Sequence, residues 1–268
     1  MAKKRANAQT KTQPLAGATV VVTRPSASAS TLKRRVVALG GAALALPGVG
    51  VRGTDDAASA RAALRQARTA DIAIFISPNA VRYAFALLPA QRFARTTQVC
   101  AVGRATALAL ARRGVSGAIW PAQRQDSEGL LALPLFARVS RRRIVLIGAP
   151  GGRDVLSKTL RARRAALQSI HVYRRTAPRW NRRHFEALDR AASPLLTLLS
   201  SAEVLAHLQR DLPLPLFAKL AVGECIVSSL RLAQAAREAG FVRVHIAASA
   251  GSADMLATAE AALAQHRL

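Results

Sequence analysis

Ile72-Ala73-Ile74-Phe75-Ile76-Ser77-Pro78-Asn79-Ala80 is the stretch on which the fold turns. A short, β-branched apolar run (72–76) stops at a polar turn, Ser77-Pro78-Asn79. Helical spacing then begins and carries through Phe85 and Leu88. Strand, turn, helix is the unit of a parallel sheet flanked by helices. The same unit lies on both sides of it. Upstream, 19–22 meets Thr23-Arg24-Pro25, and a helix from about Ser30 sets Leu32, Val36 and Leu39 on one face before Gly40-Gly41. Downstream, 99–102 meets Gly103 and a helix to Arg113, with Gly114 after it, and 144–147 runs into Gly148-Ala-Pro-Gly-Gly-Arg153. Then 195–199 meets Ser200-Ser201, 220–222 meets Gly223 and a helix ending at Gly240, and 242–246 leads to Ser249 and a last helix. The fold class expected is α/β, built from open parallel sheets of flavodoxin or Rossmann type.

Ligands of open parallel sheets bind at the carboxyl ends of the strands, where these turns gather. The turns also expose helix N-terminal amides, which favour anionic groups. Two such sheets facing each other would make an anion-binding cleft that needs no cofactor.

Composition narrows the partner. The 268 residues carry 40 Lys+Arg against 14 Asp+Glu, a formal charge of +26, so polyanions are attracted. Nucleic acid, an anionic membrane surface and a small polycarboxylate all fit that charge, and so does a solvated arginine-rich surface with no partner. Aromatics are 4% of the chain, which leaves little surface for stacking on bases, and no helix-turn-helix or finger pattern is present. No apolar run approaches the roughly 18 residues of a membrane span. The stretch 1–14 is rich in Lys, Thr and Gln, lacks an apolar core and reads as a disordered basic tail, not a secretory signal. Cys100 and Cys225 follow apolar runs and lie far apart, as free buried thiols of a reducing cytoplasm do.

Cofactor and metal motifs are missing. Gly148 to Arg153 has neither the G-x-G-x-x-G spacing of dinucleotide sites nor the G-K-[ST] ending of a P-loop. There is no G-x-S-x-G elbow. No C-x-x-C or H-E-x-x-H occurs, and the 5 histidines match no ligand or triad spacing. Each remaining turn has a plain structural reading: Pro25 fits a turn, Asn79 can cap a helix, and Gly103 lets the chain turn tightly.

In their order along the chain, however, four strings resemble the uroporphyrinogen-III synthase family. They are Val22-Thr23-Arg24-Pro25, Phe75-Ile76-Ser77-Pro78-Asn79-Ala80, Ala101-Val102-Gly103-Arg104-Ala105-Thr106-Ala107 and His171-Val172-Tyr173-Arg174-Arg175. Pro47, Glu128-Gly-Leu-Leu131, Gly152-Arg153, Leu199-Ser200-Ser201 and Val222-Gly223 extend the resemblance over nearly the whole chain after the tail. It implies two α/β lobes joined by a two-stranded linker near 47–52 and 169–174, with a cleft between them. One lobe would be discontinuous, 15–46 plus 175–268, and the other would be 47–174.

The resemblance also implies a chemistry. The family is a cofactor-free lyase that takes hydroxymethylbilane, a linear tetrapyrrole bearing acetate and propionate side chains. It expels the hydroxyl as water and closes the ring with inversion of the terminal pyrrole, through a spiro intermediate, to uroporphyrinogen III. Uncatalysed closure gives the non-inverted isomer, so positioning is the main task. Tyr173 matches the tyrosine proposed to help the hydroxyl leave. Thr23, Arg24, Ser77, Asn79, Gly103, Thr106, Ser200 and Ser201 fall at the strand-end positions expected to hold carboxylates. A cytoplasmic monomer is implied, with no nucleic-acid partner. This chain departs from the family in three places. Gly148-Ala149-Pro150 stands where an Arg-Gly pair is common. Ser200-Ser201 replaces Thr-Ser. Glu224-Cys225-Ile226 follows the glycine after which some members carry Thr, an acid expected to face an anionic ligand. A basic nucleic-acid binder and a synthase-like ligand-binding protein without activity stand as the alternatives.

Overall fold

Val20, Val21 and Val22 are all buried, and successive side chains of a strand point to opposite faces, so this strand is covered on both sides. The computed structural model describes residues 13–151 and 154–266. Nearly all of the basic tail, and Gly152-Arg153, lie outside the described residues.

The chain runs β1 (Thr19–Val22), α1 (Ser26–Ala38), β2 (Ala42–Ala45), β3 (Gly50–Gly53), α2 (Ala57–Gln66), β4 (Ile72–Phe75), α3 (Pro78–Leu87), β5 (Gln98–Ala101), α4 (Arg104–Ala111) and α5 (Ser127–Leu131). It continues through β6 (Arg143–Gly148), α6 (Val155–Ala162), β7 (Ala166–His171), β8 (Tyr173–Thr176), α7 (Arg182–Asp189), β9 (Leu195–Leu199) and α8 (Ala202–Asp211). It ends with α9 (Leu214–Ala221), β10 (Glu224–Val227), α10 (Leu230–Glu238), β11 (Arg243–Ile246) and α11 (Ser252–His266). Two units result. The first takes the chain up to Gly50 and again from Ala177; the second is Val51–Thr176.

The first unit holds a parallel sheet in the order β11-β10-β9-β1-β2. Val20 and Val22 pack with Leu196, Leu198 and Ile226 under α1 and α11, against Leu32, Val36, Leu256 and Leu263. Val21 points the other way, to Leu195, Leu199 and Val227 under α8, α9 and α10, against Leu205, Phe217 and Leu232. Each fully buried aliphatic side chain contributes about 1.5–3 kcal/mol.

The second unit holds a parallel sheet in the order β5-β4-β6-β7. Phe75, Ala101 and Ile147 face Leu64, Val81 and Leu110; Ile74, Cys100 and Leu146 face Leu130, Phe136 and Leu160. Strands β3 and β8 pair with each other in a separate two-stranded sheet.

Four features differ from the sequence reading. The segment 220–222 ends α9, and the strand is β10, from Glu224. Leu216, Phe217 and Leu220 are buried at helical spacing while Val222 is 61% exposed, so period 3.6 wins over a short run that merely looks β-like. Gly223 is the residue just before the strand, and glycine is needed there because a Cβ would lie 2.7 Å from the Leu195 carbonyl oxygen. Residues 166–171 belong to β7, paired along β6, so the expected linker strand at 169–174 gives way to β8. Helix α1 starts at Ser26, before the apolar face that marked it from Ser30. Finally, Ala42-Ala-Leu-Ala45 is an edge strand whose small side chains give no strong strand signal.

Both thiols are buried, and burial pushes each up to about 12 from 9.0. Neither cysteine is expected to react with iodoacetamide at pH 8 in the native protein, and both react after unfolding; peptide mass mapping reads this. The unfolded chain releases these protons near pH 9 and the fold retains them, so stability falls as pH rises from about 9 towards 12.

Candidate active site

All strands of the first sheet run in parallel, so their carboxyl ends form one edge. Thr23 follows β1, Ser200-Ser201 follow β9, Ser228-Ser229 follow β10 and Ser249 follows β11. The strand order puts these residues at the ends of neighbouring strands, which lie roughly 4.8 Å apart, although the sequence scatters them. Each is fixed locally. The Thr23 hydroxyl is buried and donates to the Leu198 carbonyl at 2.6 Å. Ser201 caps α8, its Oγ accepting from Val204 N at 3.2 Å, and Ser229 caps α10, accepting from Leu232 N at 3.4 Å. Ser249 accepts from Gly251 N at 2.9 Å and donates to the Asp254 carboxylate. The Arg24 guanidinium donates to the Ala250 carbonyl, and burial holds its pKa below the usual arginine range.

The second unit has its own carboxyl edge. Ser77 leaves β4 and caps α3: its Oγ accepts from Ala80 N at 3.1 Å. The same oxygen lies 3.0 Å from the hydroxyl of Tyr173, a residue at the start of β8 that is 5% exposed overall. Asn79 lies in the first turn of α3; the cap is Ser77, not Asn79. Gly103 opens α4, and the first amide of that helix, Arg104 N, donates to Gln125 Oε1 at 3.0 Å. A Cβ on Gly103 would lie 3.1 Å from Gln125 Cβ, so the glycine lets this capping side chain approach. Thr106, one turn in, is 4% exposed. A cavity of about 220 Å³ opens where β4, β5, β6 and β7 end, with Ile76, Val102, Gly148, His171, Ser157 and Arg175 in its wall. A larger hollow of about 680 Å³ runs along β2 and α7 and includes none of these strand-end hydroxyls.

The family model described as uroporphyrinogen-III synthase HemD matches residues 30–258. The chain belongs to the uroporphyrinogen-III synthase family. The uroporphyrinogen-III synthase of Salmonella typhimurium is 30% identical over 248 residues, covering 88% of this chain and 98% of that protein. The uroporphyrinogen-III synthase of Escherichia coli K12 is 28% identical over 241 residues, with the same two coverages, 88% and 98%. Among solved structures, a mutant uroporphyrinogen III synthase from the extremely thermophilic bacterium Thermus thermophilus superposes with a TM-score of 0.55 at 19% identity, over 93% of this chain and 100% of that one. The uroporphyrinogen-III synthetase of Helicobacter pylori 26695 gives 0.57 at 14% identity, over 92% and 99%. At those identities the two structures bear on the fold alone.

Within this synthase fold, Thr23, Arg24, Ser200 and Ser201 gather on the edge of the first sheet, and Ser77 meets Tyr173 in the second unit. Thr106 is buried away from water, and Gly103 faces a helix start already occupied by Gln125. Ser228, Ser229 and Gln125 were not singled out by sequence reasoning, and His171 entered only as part of the string that ends at Arg175. The serine pair was hidden by the misplaced strand at 220–222; a search for Ser at the end of Glu224–Val227 finds it.

The structure also removes the expected clash at Glu224. This residue starts β10, at the amino end of the sheet, whereas the strand-end hydroxyls lie after Val227. It is 2% exposed and is held by Arg243 Nε at 2.6 Å, His245 Nε2 at 2.7 Å and His266 Nδ1 at 3.2 Å. Its carboxylate belongs to the packing between β10, β11 and α11, and the edge of the first sheet keeps its hydroxyls at Ser228 and Ser229.

Proposed function

We propose that the chain cyclises hydroxymethylbilane to uroporphyrinogen III, with Tyr173 as the acid for the leaving hydroxyl. The hydrogen bond between Ser77 Oγ and Tyr173 Oη carries this reading. Ser77 Oγ accepts from Ala80 N; either hydroxyl can donate in its pair with Tyr173 Oη, and the proposed arrangement is the one in which Ser77 gives its proton to Tyr173. The phenolic O–H is then left to donate to the substrate. As the hydroxymethyl C–O bond breaks, the pyrrole nitrogen lone pair fills the gap, Tyr173 protonates the departing oxygen, and water and an azafulvenium cation result. The substituted carbon of the terminal pyrrole attacks this cation to give the spiro intermediate. That intermediate fragments and recloses with the ring inverted. Loss of the ring proton restores the aromatic pyrrole and returns a proton to Tyr173, so the cycle closes without an oxidant or cofactor.

Isomer choice is a matter of folding the substrate, and the hydroxyls and helix amides along each sheet edge support that role. Arg24, Ser200 and Ser201 serve it in the first unit and Asn79 in the second, whereas Thr23 donates to Leu198, Ser77 pairs with Tyr173, Thr106 is buried and Gln125 takes the amide after Gly103. A hydrogen bond to a charged group is worth about 1.5–3 kcal/mol, so a few suffice to order a flexible chain of carboxylates. The charge of +26 speeds its capture. In this reading the protein is a cytoplasmic monomer that takes no nucleic acid; the buried thiols support the compartment, and the shortage of aromatic residues speaks against stacking on bases. Among the described residues no helix is long and apolar enough to cross a membrane. Freshly generated hydroxymethylbilane, incubated with the protein and resolved by chromatography after oxidation, is expected to yield the type III isomer. Type I product alone would overturn the proposal.

A further inference from the structure

A phenol that delivers a proton has to be held in two respects: its oxygen at the right place, and its ring at the right angle. Ser77 meets the first need. The second is met from the same helix. Tyr83, on α3, lays its ring on that of Tyr173, with centroids 5.7 Å apart and planes at 18°. Its own hydroxyl donates to the Val51 carbonyl at 2.9 Å. Val51 lies in β3, the strand paired with the β8 strand that begins at Tyr173. The Arg82 guanidinium carbon sits 4.5 Å from the Tyr83 ring centroid, adding a cation–π contact. Gly53 passes beneath, where even an added Cβ would only reach ordinary contact with Tyr83 Cε1 at 3.8 Å.

From this geometry we infer that Tyr83 is a positioning residue for Tyr173, a plate that sets the plane of the phenol while Ser77 fixes its oxygen. The inference rests on Tyr173 being the acid. Tyr83 reaches the chemistry through Tyr173 alone: its hydroxyl is spent on Val51 and its ring face on Tyr173. The stack leaves the Tyr173 ring one orientation about its Cβ–Cγ bond, which a single hydrogen bond at the far oxygen does not. Small misplacements of a reacting group cost large factors in rate.

The test is a set of steady-state measurements on hydroxymethylbilane with Tyr83→Phe, Tyr83→Leu, Tyr83→Met, Tyr173→Phe and the double variant Tyr83→Leu/Tyr173→Phe. Tyr83→Leu is expected to lower kcat about tenfold with KM changed by less than about twofold. Tyr83→Phe keeps the flat ring and is expected to retain at least about a third of wild-type kcat. Tyr83→Met fills the space without a plane and is expected to follow Leu. It supplies the same reading if the Leu variant folds poorly. In the double variant the Tyr83 change is expected to cost nothing beyond Tyr173→Phe, because the group it positions is gone. A slow Tyr173→Phe with fully active Tyr83→Leu and Tyr83→Met overturns the inference alone. So does a double variant in which the two losses multiply. Full turnover by Tyr173→Phe overturns the acid reading, and the inference with it.

Discussion

Tyr173→Phe is expected to lower kcat about a hundredfold, the low end of what a positioned general acid supplies, and to leave the share of type III product unchanged. The two effects separate because the residue does one job. Phenylalanine keeps the ring in its nearly closed pocket and on the Tyr83 plane, and removes only the oxygen 3.0 Å from Ser77. Ser77 keeps its other bond, to Ala80 N, so the start of α3 stays capped. Water then has to protonate the leaving hydroxyl, which slows the first step. The later choice of attacking carbon is set by how the carboxylates are held, and no carboxylate site is lost. Single-turnover rates with isomer analysis of the same samples check both halves. Unchanged kinetics would take Tyr173 out of the chemistry.

The second large effect concerns stability. Glu224→Ala is expected to destabilise the first unit by about 2–3 kcal/mol, less than a wholly buried ion pair because Arg243 is 46% exposed at its side chain. The loss corresponds to a fall in Tm of about 5–10 °C. Removing the carboxylate leaves three basic groups converging on a site with no acceptor. Arg243 still donates to the Val222 carbonyl, but His245 and His266 lose the oxygens that hold them. The turnover of the folded protein is expected to stay within about twofold of wild type, because Glu224 lies at the opposite end of β10 from Ser228. Thermal melts and kinetics below the transition separate the two. A variant of wild-type stability that has lost turnover would restore Glu224 to the substrate edge.

Much of this architecture could be read from the sequence. Ile72–Phe75 and Leu195–Leu199 are buried on both faces, so their apolar runs are unbroken and the following Ser77 and Ser201 mark the helix caps. Edge strands carried a weaker signal. Strand β7 is half solvated and reads Ala-Leu-Gln-Ser-Ile-His, and β2 is nearly all alanine. Helix α9 misled because a Leu-Ala-Val tail says nothing of period until Pro213 at its start is counted. At the site, the strand-end hydroxyls followed from the repeated unit. The pairing of Ser77 with Tyr173, 96 residues apart, did not, because spacing carries no record of contacts made across a sheet. Family resemblance named both residues; the fold made them neighbours. Gln125 comes from a loop that no periodic signal marks.

The order of pairing in the first sheet bears on how the protein is made. Strand β1 lies between β2 and β9, and β9 begins at Leu195, after the whole of the second unit has passed. A ribosome adding about 5–20 residues per second needs roughly 10–30 s to cover that interval. During it, Val20, Val21 and Val22 have no β9 beside them and no α8 or α11 to cover them. The inserted unit, by contrast, is one unbroken length of chain and can close on itself as soon as β8 emerges. Synthesis therefore finishes the insert before its host, and the host's first two strands are the segment most in need of a chaperone.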